Sequence, residues 1–190
     1  MQMSGKYRIE APREAVWAAL NDPEVLKQAI PGCEEIEKVS DTELAAKVKI
    51  KVGPVSAKFS GKVMLSDLDP PKGYTISGEG KGGPAGFAKG GAKVRLEEDG
   101  AATILHYDVE ARVGGKLAQI GSRLIDATAK KMANDFFARF AEVVGGPAPE
   151  EAAETPAAEE AAPVGAVRPL FWALGVVAIV LVLLAIFGLD

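Results

Sequence analysis

Apolar side chains recur at helical spacing over residues 114–144, and polar side chains fall largely between them. The apolar stripe is wide and finishes with three phenylalanines, Phe136, Phe137 and Phe140. A narrow seam between two helices would not need so broad an apolar face. We therefore predict one long helix that covers the open side of a sheet.

Residues 34–113 change to a period of two, which is the repeat of β-strands. Turn signals rich in Gly, Pro and Asp divide this region into about six strands in meander order. In one of these strands Leu44, Val48 and Val52 share a face, and lysines occupy the opposite face. This alternation predicts a sheet with one buried face and one solvent-exposed face.

Three further elements precede this region. Residues 6–10 alternate as a strand, and two short helices begin at Pro12 and Pro23. The predicted fold class is therefore α+β. We expect a curved antiparallel sheet of about seven strands, wrapped around a long C-terminal helix and braced by the two short helices.

The composition changes after the predicted long helix. Residues 1–145 form the predicted domain, and residues 146–168 read as a disordered linker rich in Pro, Ala and Glu. Residues 169–190 contain a long uncharged apolar run, which predicts a transmembrane helix that spans about 30 Å. Arg168 precedes this run and only Asp190 follows it, so we expect a tail anchor in the cytoplasmic membrane with the domain in the cytoplasm. The first residues lack the apolar segment of a signal peptide, which agrees with that orientation.

The charge of the predicted domain argues against nucleic acid as a partner. Residues 1–145 carry 21 Lys and Arg against 20 Asp and Glu, a balance of +1. No nucleic-acid-binding motif is present in the sequence. We therefore expect no nucleic-acid function.

The sequence offers little for catalysis or metal binding. Its single cysteine, Cys33, can form no disulfide within the chain and has no base near it in sequence. Its single histidine, His106, is placed on the outer face of its strand by the alternation. We expect no metal and no enzymatic activity.

A glycine-rich stretch covers residues 78–91. It lacks the Gly-Lys-Ser/Thr and the following helix of a phosphate-binding loop. A flexible hairpin accounts for it, and Phe87 in that hairpin could alternatively act as an apolar gate at the rim of a cavity.

Outward-facing cations on neighbouring strands form a predicted basic face. This face is either a solvated surface that discourages edge pairing, or a docking surface for an acidic partner or anionic lipid head groups. Its members are Lys47, Lys49, Lys51, Lys58, Lys62, Lys89, Lys93 and Arg95.

An apolar pocket is the main functional prediction. A curved sheet closed by one helix leaves interior space, and small inward residues such as Ala92 and Gly61 fill little of it. The ligand is expected to be largely apolar with a small polar head, although a fully packed core would also fit the pattern. The predicted lining residues are Trp17, Phe59, Phe87, Tyr107, Leu117, Leu124, Met132, Phe136 and Phe140.

Three segments carry a resemblance to a known family: PGCEEIE at 31–37, GPAGFAKGGAKVRLEEDGAATILHYDVEARVGGKLAQIGSRLI at 83–125, and FFARF at 136–140. Over residues 1–144 the chain resembles the CoxG family, which is named for a subunit of carbon monoxide dehydrogenase. That family lies within the START-like superfamily of helix-grip ligand binders.

The resemblance implies a non-enzymatic protein that recruits a molybdenum-containing carbon monoxide dehydrogenase, or a related hydroxylase, to the membrane. Together with the pocket and the tail, it suggests a carrier of a quinone such as menaquinone between bilayer and enzyme. Two alternatives remain open: a recruitment or assembly factor that carries no ligand, and an enzyme of the superfamily that acts as a cyclase or hydrolase. The lack of inward ionisable groups disfavours the enzyme.

Overall fold

A seven-stranded antiparallel sheet and four α-helices make up the computed structural model, which describes residues 1–145. The predicted linker (146–168) and transmembrane helix (169–190) lie outside the described residues. The elements in chain order are β1 (Gln2–Ile9), α1 (Arg13–Leu20), α2 (Pro23–Ala29), β2 (Cys33–Lys38), β3 (Glu43–Val52), β4 (Val55–Asp69), β5 (Gly73–Lys81), β6 (Phe87–Asp99), β7 (Ala102–Gly114), α3 (Lys116–Gln119) and α4 (Ser122–Val144).

The strands lie in the order β1-β7-β6-β5-β4-β3-β2. Strands β2 to β7 therefore form the predicted meander, and α1 and α2 carry the chain from one edge of the sheet to the other. Strand β1 is longer than predicted, because its pairing with β7 begins at Gln2↔Glu110 and continues to Ile9↔Thr103. With the C-terminal helix, this is the architecture of the helix-grip fold.

The predicted alternation is confirmed in the central strands. Leu44, Val48 and Val52 are buried, whereas the lysines between them are exposed. Val48 pairs with Phe59 of β4, so the inner face continues across the sheet. Burial of this face stabilises the fold by about 25 cal/mol for each Å² of apolar surface removed from water.

The prediction of one continuous helix over residues 114–144 is wrong. The chain forms α3 and then α4, and Gly121 separates them with φ 95° and ψ 142°. That conformation is open to glycine and strained for other residues, so the helix cannot continue through it. Gly115, with φ 72°, makes a similar break before α3.

The two ends of α4 differ in burial. From Ser122 to Thr128 the helix contains no buried residue, and the first buried side chain is Ala129. The second half packs along α2, whose Leu26 is fully buried. The C-terminal half of α4 is therefore the part packed into the core, and the first two turns of α4 lie at the open end of the sheet.

Capping explains where α2 begins. Asp22 accepts a hydrogen bond from the backbone N–H of Glu24 at 2.9 Å, and Pro23 occupies the first helical position. The cap and the proline together fix the start of α2, the helix that packs against α4.

Candidate ligand-binding site

A cluster of five aromatic rings, contributed by β1, β7 and α4, lies between the sheet and α4. Phe137 is its centre: its ring lies 4.8 Å from that of Tyr7, 6.0 Å from that of Tyr107 and 5.1 Å from that of Phe136, measured between centroids. Phe140 extends the cluster, with its ring 5.5 Å from that of Phe136. The result is an aromatic interior suited to flat apolar groups.

The Tyr107 hydroxyl is the exceptional polar group of this interior. Tyr107 is 1% exposed, and its Oη has no hydrogen-bond partner among the described residues. Burial raises the pKa of Tyr107 above its ordinary value, so the group stays protonated and can donate. An unpaired buried hydroxyl costs about 1–3 kcal/mol.

Thr103, on the same strand, shows how a buried hydroxyl is normally satisfied. It is fully buried, and its Oγ1 donates to the carbonyl oxygen of Ala11 at 2.7 Å. The contrast within β7 identifies Tyr107 as a donor that the fold leaves available.

A second aromatic pair lies between α1 and β5. The rings of Trp17 and Tyr74 meet edge to face with centroids 5.4 Å apart. Trp17 is partly exposed, and burial raises the pKa of Tyr74 above its usual range. Of this pair, the sequence pattern had indicated only Trp17 as a lining residue.

The structure brings most of the predicted lining residues into the core. Phe59, Tyr107, Leu117, Phe136 and Phe140 are buried within one hydrophobic cluster, and Trp17 and Met132 pack against it. Because the buried members expose almost no surface, a ligand reaches them only if the conformation around them changes. Their role in binding stays a prediction.

Phe87 and Leu124 lie outside this interior, at 52% and 40% exposure. Alternation turns the neighbouring Ala88 inward, so Phe87 points to the outer face. Its ring covers Gly114, where a Cβ would come within 2.2 Å of a ring carbon. Leu124 lies beside Gly53 at the tip of the β3–β4 hairpin, where a Cβ would lie 2.7 Å from Leu124 Cδ2. The two side chains therefore belong to the rim and not to the lining.

Phe137, Tyr7 and Tyr74 were missed as candidate site residues. The apolar stripe assigned the inner face to Phe136 and Phe140, but α4 is covered by both the sheet and α2, so Phe137 is buried as well. Three phenylalanines within five residues were the available signal. Tyr7 belongs to the first predicted strand, residues 6–10, to which the sequence pattern assigns no functional role.

The cysteine and the histidine lie apart from the aromatic cluster. His106 Nε2 lies 3.0 Å from Glu97 Oε2 on the outer face of the sheet. Desolvation by burial raises the pKa of Cys33 to about 11, with a smaller opposing effect of Lys27, so its sulfur is a thiol at neutral pH. Within residues 1–145, no group of three or more His, Cys, Asp or Glu side chains is arranged to hold a metal ion.

Two open grooves occur at the edges of the sheet. One, of about 520 Å³, includes Met1, Met3, Asp126 and Lys130 in its lining. The other, of about 430 Å³, runs beside Lys47 and the middle residues of β2 and β4. No ring of the aromatic cluster lines either groove, so neither is the predicted ligand pocket.

Fold and interior together define a helix-grip protein with an aromatic core. More particularly, the chain belongs to the carbon monoxide dehydrogenase CoxG family, whose model matches residues 5–145. Among curated proteins, none matches the chain. No helix within residues 1–145 has the length and apolar character needed to cross a membrane.

Solved structures share this fold. A conserved protein from Geobacillus kaustophilus is 30% identical, with a TM-score of 0.71, over 76% of this chain and 95% of that one. A START superfamily protein from Mycobacterium smegmatis has 15% identity and a TM-score of 0.55, over 75% of this chain and 98% of that one. The Zhui aromatase/cyclase from Streptomyces sp. R1128 has 16% identity and a TM-score of 0.54, over 77% of this chain and 98% of that one. The last two show the fold alone.

Proposed function

We propose that this protein is a membrane-tethered carrier of a hydrophobic ligand, without catalytic activity of its own, in which Tyr107 binds the ligand's polar head. The observation that carries the proposal is the Tyr107 hydroxyl, buried among aromatic rings and without a partner in the described part of the chain. A ligand oxygen that accepts from this hydroxyl would remove the cost of leaving it unpaired.

A quinone is the ligand class that fits these surroundings. It has a flat ring that can stack on phenylalanine, a carbonyl oxygen that accepts a hydrogen bond, and an apolar tail. Phe137 and Tyr107 are nearly parallel, with 20° between their ring planes, so a third flat ring could stack on them once the conformation around them opens. Menaquinone is the specific candidate.

The family assignment and the sequence outside the described residues supply the cellular setting. The family's name points to carbon monoxide dehydrogenase as the partner, and the predicted tail would hold the protein at the cytoplasmic membrane. We propose that the domain takes quinone from the bilayer and presents it to that enzyme, or to a related molybdenum hydroxylase, as an electron acceptor.

A recruitment factor without a ligand is the second candidate. The near-complete burial of Phe59, Phe136 and Phe140 favours it, because these rings expose no open space in this conformation. Such a factor would hold the enzyme at the membrane, and its interior would serve stability alone.

Lipid extraction separates the two candidates. Residues 1–145, purified from a quinone-producing host without the tail, are extracted with solvent and the extract is examined by mass spectrometry. A carrier yields quinone in proportion to protein, whereas a recruitment factor yields none and takes up none when quinone is added. Circular dichroism and a cooperative thermal transition serve as the folding control.

A further inference from the structure

One end of the sheet gathers three segments that are distant in sequence. They are the β3–β4 turn, the β5–β6 turn, and the chain from the end of β7 to the start of α4. Gly53 lies against Leu124, and Gly86 lies against Gly114 and Gly115, so both turns touch the third segment. We call this end the rim and define it as residues 51–56, 81–87 and 112–124.

The rim carries positive charge only. It holds no Asp or Glu, and none of its cations forms an ion pair within residues 1–145. All of these cations are exposed. They are Lys51, Lys81, Arg112, Lys116 and Arg123.

The opposite end of the sheet is acidic. Its three hairpin turns, residues 38–43, 67–72 and 97–100, carry seven acidic side chains and two lysines. Both of those lysines form ion pairs within their own turn, Lys38 with Asp41 and Lys72 with Asp69. By position along the strands the charge is separated, which the overall balance of the domain conceals. Four of the acids also pair with cations from outside these turns, Arg8 with Asp99, Arg13 with Glu98, Arg95 with Glu97 and Lys62 with Glu43, whereas the rim cations form no ion pair within residues 1–145.

The rim also exposes two large apolar side chains. Phe87 and Leu124 present 52% and 40% of their surfaces, and both lie among the five cations. Exposed apolar side chains ringed by Lys and Arg are the composition of segments that lie in the head-group region of a bilayer. A soluble acidic protein would match the charge but would leave the exposure of Phe87 and Leu124 unexplained.

We propose that the rim docks on an anionic phospholipid bilayer, with Phe87 and Leu124 in the head-group region and the five cations against lipid phosphates. This inference rests on the proposed carrier function, for which it supplies the route of ligand transfer. The rim includes the start of α4, so docking places residues 122–124, none of which is buried, against the lipid. Each cation near an anionic surface contributes about fivefold in affinity.

Spin labels on the full-length protein test this docking. In a Cys33→Ser background, single cysteines at Phe87→Cys or Leu124→Cys carry a nitroxide, and Leu68→Cys at the acidic end is the matched control, since Leu68 is 44% exposed. The protein is placed in vesicles of phosphatidylcholine with or without phosphatidylglycerol. The readout is the rate at which the label collides with molecular oxygen, which partitions into the bilayer, relative to the rate at which it collides with a nickel chelate that stays in water.

We expect the labels at 87 and 124 to become protected from nickel in phosphatidylglycerol vesicles, and the label at 68 to stay aqueous in both. Reversal of two cations, Lys81→Glu with Arg123→Glu, should lower the docked fraction relative to the undocked fraction by about 25-fold or more, at about fivefold per cation. Labels at 87 and 124 as accessible to nickel as the label at 68 would overturn the proposal. Equal protection in neutral vesicles, or no effect of charge reversal, would overturn it as well.

Quinone binding is scored separately in detergent, where docking plays no part. If quinone binds but the rim labels stay aqueous, docking is refuted and the carrier function stands. If the labels enter the bilayer but no quinone binds, the carrier function is refuted and the rim remains a lipid-docking surface.

Discussion

At the scale of single residues, two hydroxyls of β7 have opposite effects on the stability of the fold. Thr103 donates to Ala11 O at 2.7 Å, while Tyr107 Oη is buried and unpaired within residues 1–145. Hydrogen bonds between neutral groups contribute about 0.5–1.5 kcal/mol net, but an orphaned buried group costs more than that. The Tyr107 hydroxyl therefore weakens the ligand-free protein, which is the expected cost of a binding group.

This contrast gives the first mutational prediction. Tyr107→Phe should leave the free energy of unfolding unchanged or raise it by about 1–3 kcal/mol, because the unpaired hydroxyl disappears and the ring stays. Thr103→Val, of similar size, should lower it by about 1–3 kcal/mol, because the carbonyl of Ala11 loses its donor. Urea denaturation measures both. A loss of stability in Tyr107→Phe as large as that in Thr103→Val would mean that the Tyr107 hydroxyl has a partner in solution.

Cys33 gives a pH-dependent prediction. Its pKa is raised from 9.0 to about 11 by burial, so at neutral pH its thiolate fraction is about a hundredfold below that of an ordinary cysteine. Alkylation by iodoacetamide should be correspondingly slow and should reach half its limiting rate near pH 11. A midpoint near pH 9 in the folded protein would contradict the buried environment.

The same shift affects stability. Because the folded pKa lies above the unfolded one, the unfolded chain releases its proton first as pH rises. The protonated Cys33 therefore contributes its full share to the free energy of unfolding below pH 9, and this share is lost as the pH rises from 9 to about 11. Tyr74 and Tyr107, whose pKa values are also raised by burial, add to the loss in the alkaline range.

At the scale of elements, the glycine between α3 and α4 determines the shape of the rim. Apolar spacing continues across Gly121, so the pattern of side chains carried no sign of the break. The break results from the backbone conformation of Gly121, because its φ of 95° ends α3 and redirects the chain into α4. The first turns of α4 are consequently left exposed beside the β3–β4 hairpin.

Gly121→Ala tests this arrangement. In a continuous helix the change would stabilise the protein by about 0.5–1 kcal/mol, whereas at the observed dihedral angles it should destabilise it by about 1–3 kcal/mol. No atom lies within 4 Å of the added Cβ, so backbone strain alone sets the sign. Chemical denaturation that shows greater stability would support the single helix and contradict the structure.

The elements best predicted from the sequence are those in which one face is buried and the other is exposed to solvent. Strands β3, β4, β6 and β7 met that condition, and their facing was predicted, as were the number and order of the strands from β2 to β7. Strand β2 has no buried residue and its facing was not predicted. The start of β1 was missed because Ser4 and Gly5 interrupt the apolar signal, and only pairing with β7 reveals it. Phe87 and Leu124 were both assigned to the lining, with a gate at the cavity rim as the alternative for Phe87, because no sequence pattern shows which turns meet at the open end.

At the scale of the whole molecule, the domain is polarised along its strands. The aromatic cluster lies inside, the cationic rim lies at one end with exposed Phe87 and Leu124, and the acidic turns lie at the other. The nearly neutral total of residues 1–145 conceals this separation, because the cations and acids alternate in sequence and are sorted only by the sheet. A carrier that exchanges an apolar ligand with a membrane would benefit from such an arrangement.

The central claim is that the interior binds a quinone whose oxygen accepts from Tyr107, and a titration with menaquinone tests it most directly. The full-length protein in detergent, with Trp172→Phe so that Trp17 is the reporter, is titrated while tryptophan fluorescence is followed. We predict saturable quenching, and a Tyr107→Phe variant that binds about 2- to 10-fold more weakly, which corresponds to the loss of one hydrogen bond of about 0.5–1.5 kcal/mol. An absence of saturation, or equal affinity in the two proteins, would contradict the account.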